Sequence, residues 1–314
     1  MSEIILSTLG GLTLFLYAVN NLSETIKDLV GKKSRTWILR FTKNLFTAIL
    51  TGTVVTAILD SSSAVIILTI VLVNANLLTF RQSIGMVLGA NIGTTISSQI
   101  IAMDIGKYSP VFLAIGFIMI MLSKTEALNK TGKAILFFGI LFFGLYTMER
   151  SVEPLKDHPF FYEWIQQMNN PIKGTLTGAI VTLIIQSSSA TVGMAIVLAK
   201  KGLLPLAAGI GVMMGAELGT VSDTLLATIK GSRQAIKTGL FHLIFNLLSI
   251  ITGLILFYPF LKFIEWVNPN GHVEHAIANA HMFFNIFGVL CFVGFVPLIE
   301  SLLNKLLPEK TEVV

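Results

Sequence analysis

The sequence predicts an all-α integral membrane protein made of two inverted structural repeats, each carrying a re-entrant helical hairpin. Three observations lead there. The 314 residues are 54% hydrophobic and only 12% charged, where a soluble domain carries about 25% charged residues. Apolar blocks recur from end to end, as in a polytopic membrane protein. The chain also resembles itself. A step of 126 positions lays Asp60–Ala64, DSSSA, on Gln186–Ala190, QSSSA, and carries Thr51-Gly52, Thr56, Gly89-Ala90 and Gly93-Thr94 onto identical residues. Repetition at that fidelity is the mark of an internal duplication.

Taken in order, a first helix runs from about Ile4 to Leu29 and turns amphipathic at its far end. It does not read as a signal peptide, because its start carries Glu3 and no basic residue. It also has an echo of its own: Tyr17, Glu24, Lys27 and Asp28 fall on Tyr146, Glu153, Lys156 and Asp157 at a step of 129. A basic stretch, Gly31–Lys43, leads to the arm Leu45–Leu59, the serines, and the arm Ala64–Val73. An arm of 15 residues reaches roughly 22 Å, short of about 30 Å of hydrocarbon. One straight helix through both arms would bury an aspartate and three serines. A hairpin whose tip lines a cavity near the midplane avoids that cost.

Segment Ser83–Met103 contains GANIGTTISSQ, polar for a spanning helix, and Pro110–Leu122 is a short apolar block. The pattern restarts at Ala134–Met148. An amphipathic stretch, Glu149–Asn170, precedes the second hairpin, with arms Ile172–Ile185 and Ala190–Ala199. Helices are then expected over Pro205–Thr228, Ala235–Phe260 and Ala276–Leu303, the last with no counterpart in the first half. The expected division is 1–130 for the first repeat (hairpin around 45–73), 131–260 for the second (hairpin around 172–199), and 261–314 for an extra C-terminal transmembrane helix.

Three crossings in the first repeat would insert the second upside down. With the N-terminus outside and seven crossings, 15 of the 22 Lys and Arg fall inside and 7 outside, the sense of the positive-inside rule. Lys200-Lys201 sit on the disfavoured side. The formal charge of +5 is thus read as orientation, and no nucleic-acid partner is expected. The single cysteine, Cys291, excludes an intrachain disulfide and does not indicate the compartment. Trp164 and Trp266 read as interfacial anchors.

The chemistry concentrates in the repeated motifs. Serines can simply cap a half-helix, but two runs at matching positions point to a substrate site. Their hydroxyls, with the N-termini of the arms beginning at Ala64 and Ala190, suit a small anion. No Lys or Arg occurs in 44–80, 82–106, 174–199 or 202–229, so the compensating charge should arrive with the substrate, as cations or protons. Hard cations take oxygen ligands. Asp60, Asn91, Thr94 and Thr95 offer them in the first repeat, and Gln186, Glu217, Thr220 and Asp223 in the second. Acid and amide change places between the repeats: Asp60 against Gln186, Asn91 against Glu217. Intramembrane carboxylates are costly and usually functional, so Asp60 and Glu217 are each expected to hold a cation or a proton. His242-x-x-Phe245-Asn246 and His281-x-x-Phe284-Asn285 read as interhelical hydrogen-bonding pairs.

Paired serine motifs, each followed by a GxNIGT-type element, resemble the type II sodium-dependent phosphate cotransporter family, and the compact length is similar to its bacterial members. The resemblance rests on DSSSA at 60–64, QSSSA at 186–190, GANIGTT at 89–95, GAELGT at 215–220 and FHLIFN at 241–246. It implies sodium-coupled symport of inorganic phosphate by alternating access, no enzymatic activity, sodium as the co-transported ion, and a multi-pass protein of the bacterial inner (cytoplasmic) membrane. It implies phosphate contacts at Ser61, Ser62, Ser63, Ser187, Ser188 and Ser189, and sodium ligation at Gln186, Asn91, Thr94, Thr95 and Thr220. The sequence departs from the family pattern at Asp60 and Glu217, where Gln and Asn are usual. The rival readings are transport of another small oxyanion or a carboxylate, a channel, and an intramembrane serine hydrolase. The last lacks a base near the serine motifs.

Overall fold

The computed structural model describes residues 2–103, 105–154, 170–229, 231–269 and 271–308, with 2 and 30–34 described by backbone alone. Trp164, the echo at Lys156-Asp157, most of the amphipathic stretch 149–170, and three of the basic residues in the orientation argument, Lys156, Lys230 and Lys310, lie outside the described residues. Every long element among those described is an α-helix: α1 (Ser2–Phe41), α2 (Leu45–Leu59), α3 (Ser62–Asn74), α4 (Phe80–Ala102), α5 (Ser109–Met121), α6 (Glu126–Val152), α7 (Pro171–Ile185), α8 (Ser188–Lys200), α9 (Leu206–Gly219), α10 (Val221–Ala227), α11 (Arg233–Ile255), α12 (Phe257–Val267), α13 (Val273–Val293) and α14 (Val296–Leu306). Among the described residues, five helices are long and apolar enough to cross a membrane: Glu3–Leu29 within α1, and α4, α6, α11 and α13.

Local chemistry explains where the helices stop. Asn44 caps α2, its side chain accepting from the Thr47 N–H while Thr47 answers the Asn44 N–H, a capping box. Asn170 caps α7, with Pro171 as its first residue. Two expected single helices are broken in two. Pro259 cannot continue a helix past the carbonyl of Ile255, and α11 ends there; Pro297 does the same to Val293 at the end of α13. The span expected over Pro205–Thr228 is interrupted at Thr220. Conversely, α1 runs through the basic stretch to Phe41.

Printed contacts fix the course of the chain around the serines. Along α2 and α4 the neighbours are Thr42 with Gln82, Ala48 with Gly85, Ile49 with Gly89, Thr53 with Gly93, and Asp60 with Ser97. Both helices therefore run in the same sense, and α3 between them must return, making α2–α3 a hairpin with its tip at Asp60-Ser61. The second hairpin repeats the plan: α7 lies beside α9 in parallel, Pro171 at Gly211, Thr175 at Gly215 and Thr182 at Gly219, with α8 returning between them. Helices α1 and α6 pack antiparallel, Gly11 against Gly144 and Tyr17 against Phe137.

The parallel pairs are close because glycine permits it. A Cβ on Gly89 would collide with the Ile49 carbonyl, and one on Gly215 with the Thr175 carbonyl. These are the same neighbours at a step of 126. Without water to drive helices together, such backbone approach is a main source of association in a bilayer. The open end of the second hairpin is tied down by charge: Lys200 and Lys201 reach Glu149 at 2.9 and 3.1 Å.

Gly89→Ala and Gly215→Ala should each destabilise the protein by about 1–3 kcal/mol through overpacking. Gly10→Ala, where nothing lies within 4 Å of the added carbon, should leave thermal unfolding in detergent unchanged.

Candidate functional site

At each hairpin tip the helix is ended by one residue in the left-handed region. Asp60 has φ 52° and Gln186 φ 60°, a conformation costly for a residue with a Cβ. The next residue is extended: Ser61 at φ −158° and Ser187 at φ −149°. Their hydroxyl oxygens accept the N–H of Ala64 and Ala190, both at 3.2 Å. The first serine of each run is therefore an N-cap, as the plain structural reading of the motif expects. It is also part of a site, because the two tips meet.

Asp60–Ser63 and Gln186–Ser189 line one cavity of about 70 Å³, completed by Thr220 at the α9–α10 break and by Val19, Asn20 and Ser23 of α1. Ser188, Ser189 and Thr220 are buried, the tip Asp60–Ser63 is half-buried, and Asn20 and Gln186 are exposed. The N-termini of α3 and α8 both begin at this cavity. Among the described residues that line it, none is Lys, Arg or His. Asp60 accepts a hydrogen bond from Ser97. Ser63 donates to Asp223 Oδ2 at 3.3 Å, joining the first tip to α10. A second, larger and mostly apolar cavity of about 360 Å³ lies between α1, α2, α4, α5 and α6, and Asp60, Ser97, Thr131 and Ser189 are the polar part of its wall.

Hydroxyl donors, two helix N-termini and the absence of a fixed cation fit a small oxyanion that travels with positive charge. The comparisons with known proteins bear on this directly. The model of the Na+/Pi-cotransporter family matches residues 14–150 and 159–267. The chain belongs to the Na+/Pi-cotransporter family. That is a family of transporters, not of enzymes, and membership implies phosphate and sodium as substrates. The chain is a multi-pass membrane protein. It is 29% identical to YqeW of Bacillus subtilis, named an uncharacterized protein, over 98% of this chain and 99% of that one. It is 22% identical to YjbB of Escherichia coli K12, provisionally named an inorganic phosphate export protein, over 98% of this chain and 56% of that one. Over 90 residues, 27% of the chain and 14% of the relative, it is 32% identical to sodium-dependent phosphate transport protein 2A of Mus musculus. No solved structure matches the chain.

Within this chain, all six motif serines, Asp60, Gln186 and Thr220 come together at the cavity. Asn91, Thr94, Thr95 and Glu217 lie outside its lining. Asn91 donates to the Val87 carbonyl at 2.8 Å, and Thr94 and Thr95 bond to carbonyls of their own helix. Glu217 Oε1 lies 2.6 Å from His281 Nε2, while His281 Nδ1 lies 2.6 Å from Ser98 Oγ. His242 Nδ1 pairs with Thr224 Oγ1 at 2.8 Å. Both histidines thus make interhelical bonds. Ser98 and Thr224 correspond at a step of 126. His281 does have an orienting acid, one distant in sequence and so invisible there. Ser98 has no exposed surface, and the trio is a strut between α4, α9 and α13.

Sequence reasoning missed Asn20 and Ser23. They stand one turn apart on α1, and two polar residues at that spacing at the end of an apolar run were the available signal.

His281→Ala should destabilise the protein by roughly 3 kcal/mol, since it leaves Glu217 buried without its partner. Adding Glu217→Gln to His281→Ala should restore part of that loss in thermal unfolding. An additive double variant would rule out coupling between the two side chains.

Proposed function

We propose that this protein is a secondary active transporter that moves inorganic phosphate together with sodium by alternating access. The observation that carries the proposal is the meeting of both serine tips at one cavity lined by no basic residue. Each helix N-terminus offers about half a positive charge, so α3 and α8 together balance about one. Phosphate at neutral pH carries up to two charges, and Asp60 adds a third negative group. Sodium entering with the anion supplies the balance.

The serines Ser61, Ser62, Ser63, Ser187, Ser188 and Ser189 are assigned to phosphate. Sodium is assigned to oxygens of Asp60, Gln186 and Thr220 at the cavity and, beyond it, to Asn91, Thr94, Thr95 and Glu217 in the two GAxxGT helices.

We read the two halves as inverted repeats with re-entrant hairpins. Support comes from the sense of the chain. From Ser63–Asp223 to Asn74–Ser232, α3 runs alongside the segment 223–232 in the same direction. It runs against α4, the counterpart of α9 and α10. The antiparallel packing of α1 on α6 agrees. Alternating access would follow from exchanging the roles of two such halves around a fixed site. We keep the domain limits as a proposal, 1–130 and 131–260 with 261–314 as an addition; the first limit falls inside α6 and the second inside α12. Lys200 and Lys201, on the disfavoured side, are paired with Glu149 and Glu153. A bacterial inner membrane fits the bacterial relatives. Coupling sets a ratio and not a direction, so import and export are both open to the same machine.

The test is uptake of radiolabelled phosphate into proteoliposomes under an imposed sodium gradient. Accumulation should require inward sodium and collapse with a sodium ionophore. Ser188→Ala, which removes one hydrogen bond to a charged ligand, should cut uptake at sub-saturating phosphate by about tenfold or more. A potassium gradient that serves as well as sodium would refute the coupling.

A further inference from the structure

The hydroxyls around the cavity are not equivalent, because some have already spent their protons. Ser61 and Ser187 accept a backbone N–H, which leaves each O–H free to donate. Ser62, Ser188 and Ser189 make no hydrogen bond to the described residues, so they too can donate. These five form a donor wall. Opposite in character are Ser23, which donates to the Leu59 carbonyl at 3.2 Å, Ser63, which donates to Asp223, and Thr220, which donates to the Glu217 carbonyl at 2.9 Å. Towards the cavity these three present lone pairs, and Asp60 stands beside them.

The asymmetry has one source at the tips. Ser63 and Ser189 correspond at a step of 126, as do Ser97 and Asp223. Ser97 donates to Asp60, whereas Asp223 takes the proton of Ser63. Ser222 Oγ lies 3.4 Å from the other oxygen of Asp223 and donates to the Gly219 carbonyl at 2.9 Å. One carboxylate, outside the cavity lining, thereby converts a tip serine from donor to acceptor.

We propose that Asp223, acting through Ser63, is a positioning residue that makes this site select a protonated oxyanion over a fully ionised one. The inference rests on reading the cavity as the anion site. A monohydrogen or dihydrogen oxyanion of the phosphate and arsenate type turns its bare oxygens to the donor wall and its O–H to Ser23, Ser63 and Asp60. Sulfate at neutral pH has no proton to offer. Its fourth oxygen would face lone pairs and a carboxylate, with neither side able to donate. A site built to receive an O–H rejects an analogue lacking it far more strongly than a shape mismatch does.

The experiment measures competition against labelled phosphate taken up by proteoliposomes under an inward sodium gradient, with arsenate and sulfate as competitors. In parallel, it measures thermal stabilisation of the detergent-solubilised protein by each of the three anions. In the native protein arsenate should compete on a par with phosphate, and sulfate should be weaker by about a hundredfold or more. Asp223→Asn lets the side-chain amide donate and releases the Ser63 proton, so the sulfate-to-arsenate gap should narrow by about tenfold. Ser63→Ala, which removes the acceptor with a smaller change, should narrow it too. A merely structural role for Asp223 would lower all three anions together and leave the ratio fixed, which would overturn the proposal. So would sulfate matching arsenate in the native protein. Loss of sodium dependence with the anion ratio intact would instead refute the coupling alone, and the stabilisation assay reads the ratio even then.

Discussion

Among the described residues that line the cavity none is basic, so positive charge there comes from the N-termini of α3 and α8 alone. That constraint organises the structure. Lysine or arginine at the cavity would bind the anion tightly and permanently. Hydroxyls and helix ends bind it weakly unless another ion is present. The chain therefore has to deliver two helix N-termini to one point, and it can do so only by breaking a membrane helix in each half. The broken backbone needs its own hydrogen bonds in a medium that offers no water. Ser61 and Ser187 supply them as caps, so the residues that make the break tolerable also line the cavity.

The breaks would splay the helices apart without close packing behind them. The parallel pairs α2–α4 and α7–α9 provide it through glycines that meet carbonyls on the neighbouring helix. Tip and buttress are covalently close: Gly89 and Gly93 stand on the helix that carries Ser97 to Asp60, and Gly215 and Gly219 on the one that leads through Thr220 to Asp223. Backbone approach, cavity shape and hydrogen-bond direction are thus set by the same two short segments, GANIGTTIS and GAELGTVSD.

Much of this was legible in the chain. The arm Leu45–Leu59 was delimited to the residue, because an Asn cap and a run of serines mark its ends by local chemistry. The return of the second arm followed from length alone. Local chemistry was also sufficient for the breaks at Ile255 and Val293, since Pro259 and Pro297 stand four residues later; the apolar runs around them simply outweighed the signal. What could not be read was rotation about helix axes. Whether Asn91 and Glu217 face the cavity or a neighbouring helix depends on packing angles that no spacing encodes. The same limit hid Glu217 from His281, 64 residues apart in the chain, and left α1 looking like a plain anchor although Asn20 and Ser23 form part of the wall.

The two halves agree in backbone and disagree in side chains, and the disagreements cluster. Asp60 faces Gln186, Asn91 faces Glu217, and Ser97 faces Asp223 across the step of 126. In each pair one member is an acid and the other a neutral residue that can hydrogen-bond in its place. Equal backbones keep two halves interchangeable in shape, which a symmetric conformational change demands. Unequal side chains give the cavity a donor face and an acceptor face, which a tetrahedral ion with one distinct oxygen can exploit. Had both halves kept the amide and the serine, only Ser23 and Thr220, whose protons go to backbone carbonyls, would be left on the acceptor side. Placing Asp60 in the first half and Asp223 in the second distinguishes the faces without adding a cation. It also leaves intact the glycine contacts on which the two halves depend.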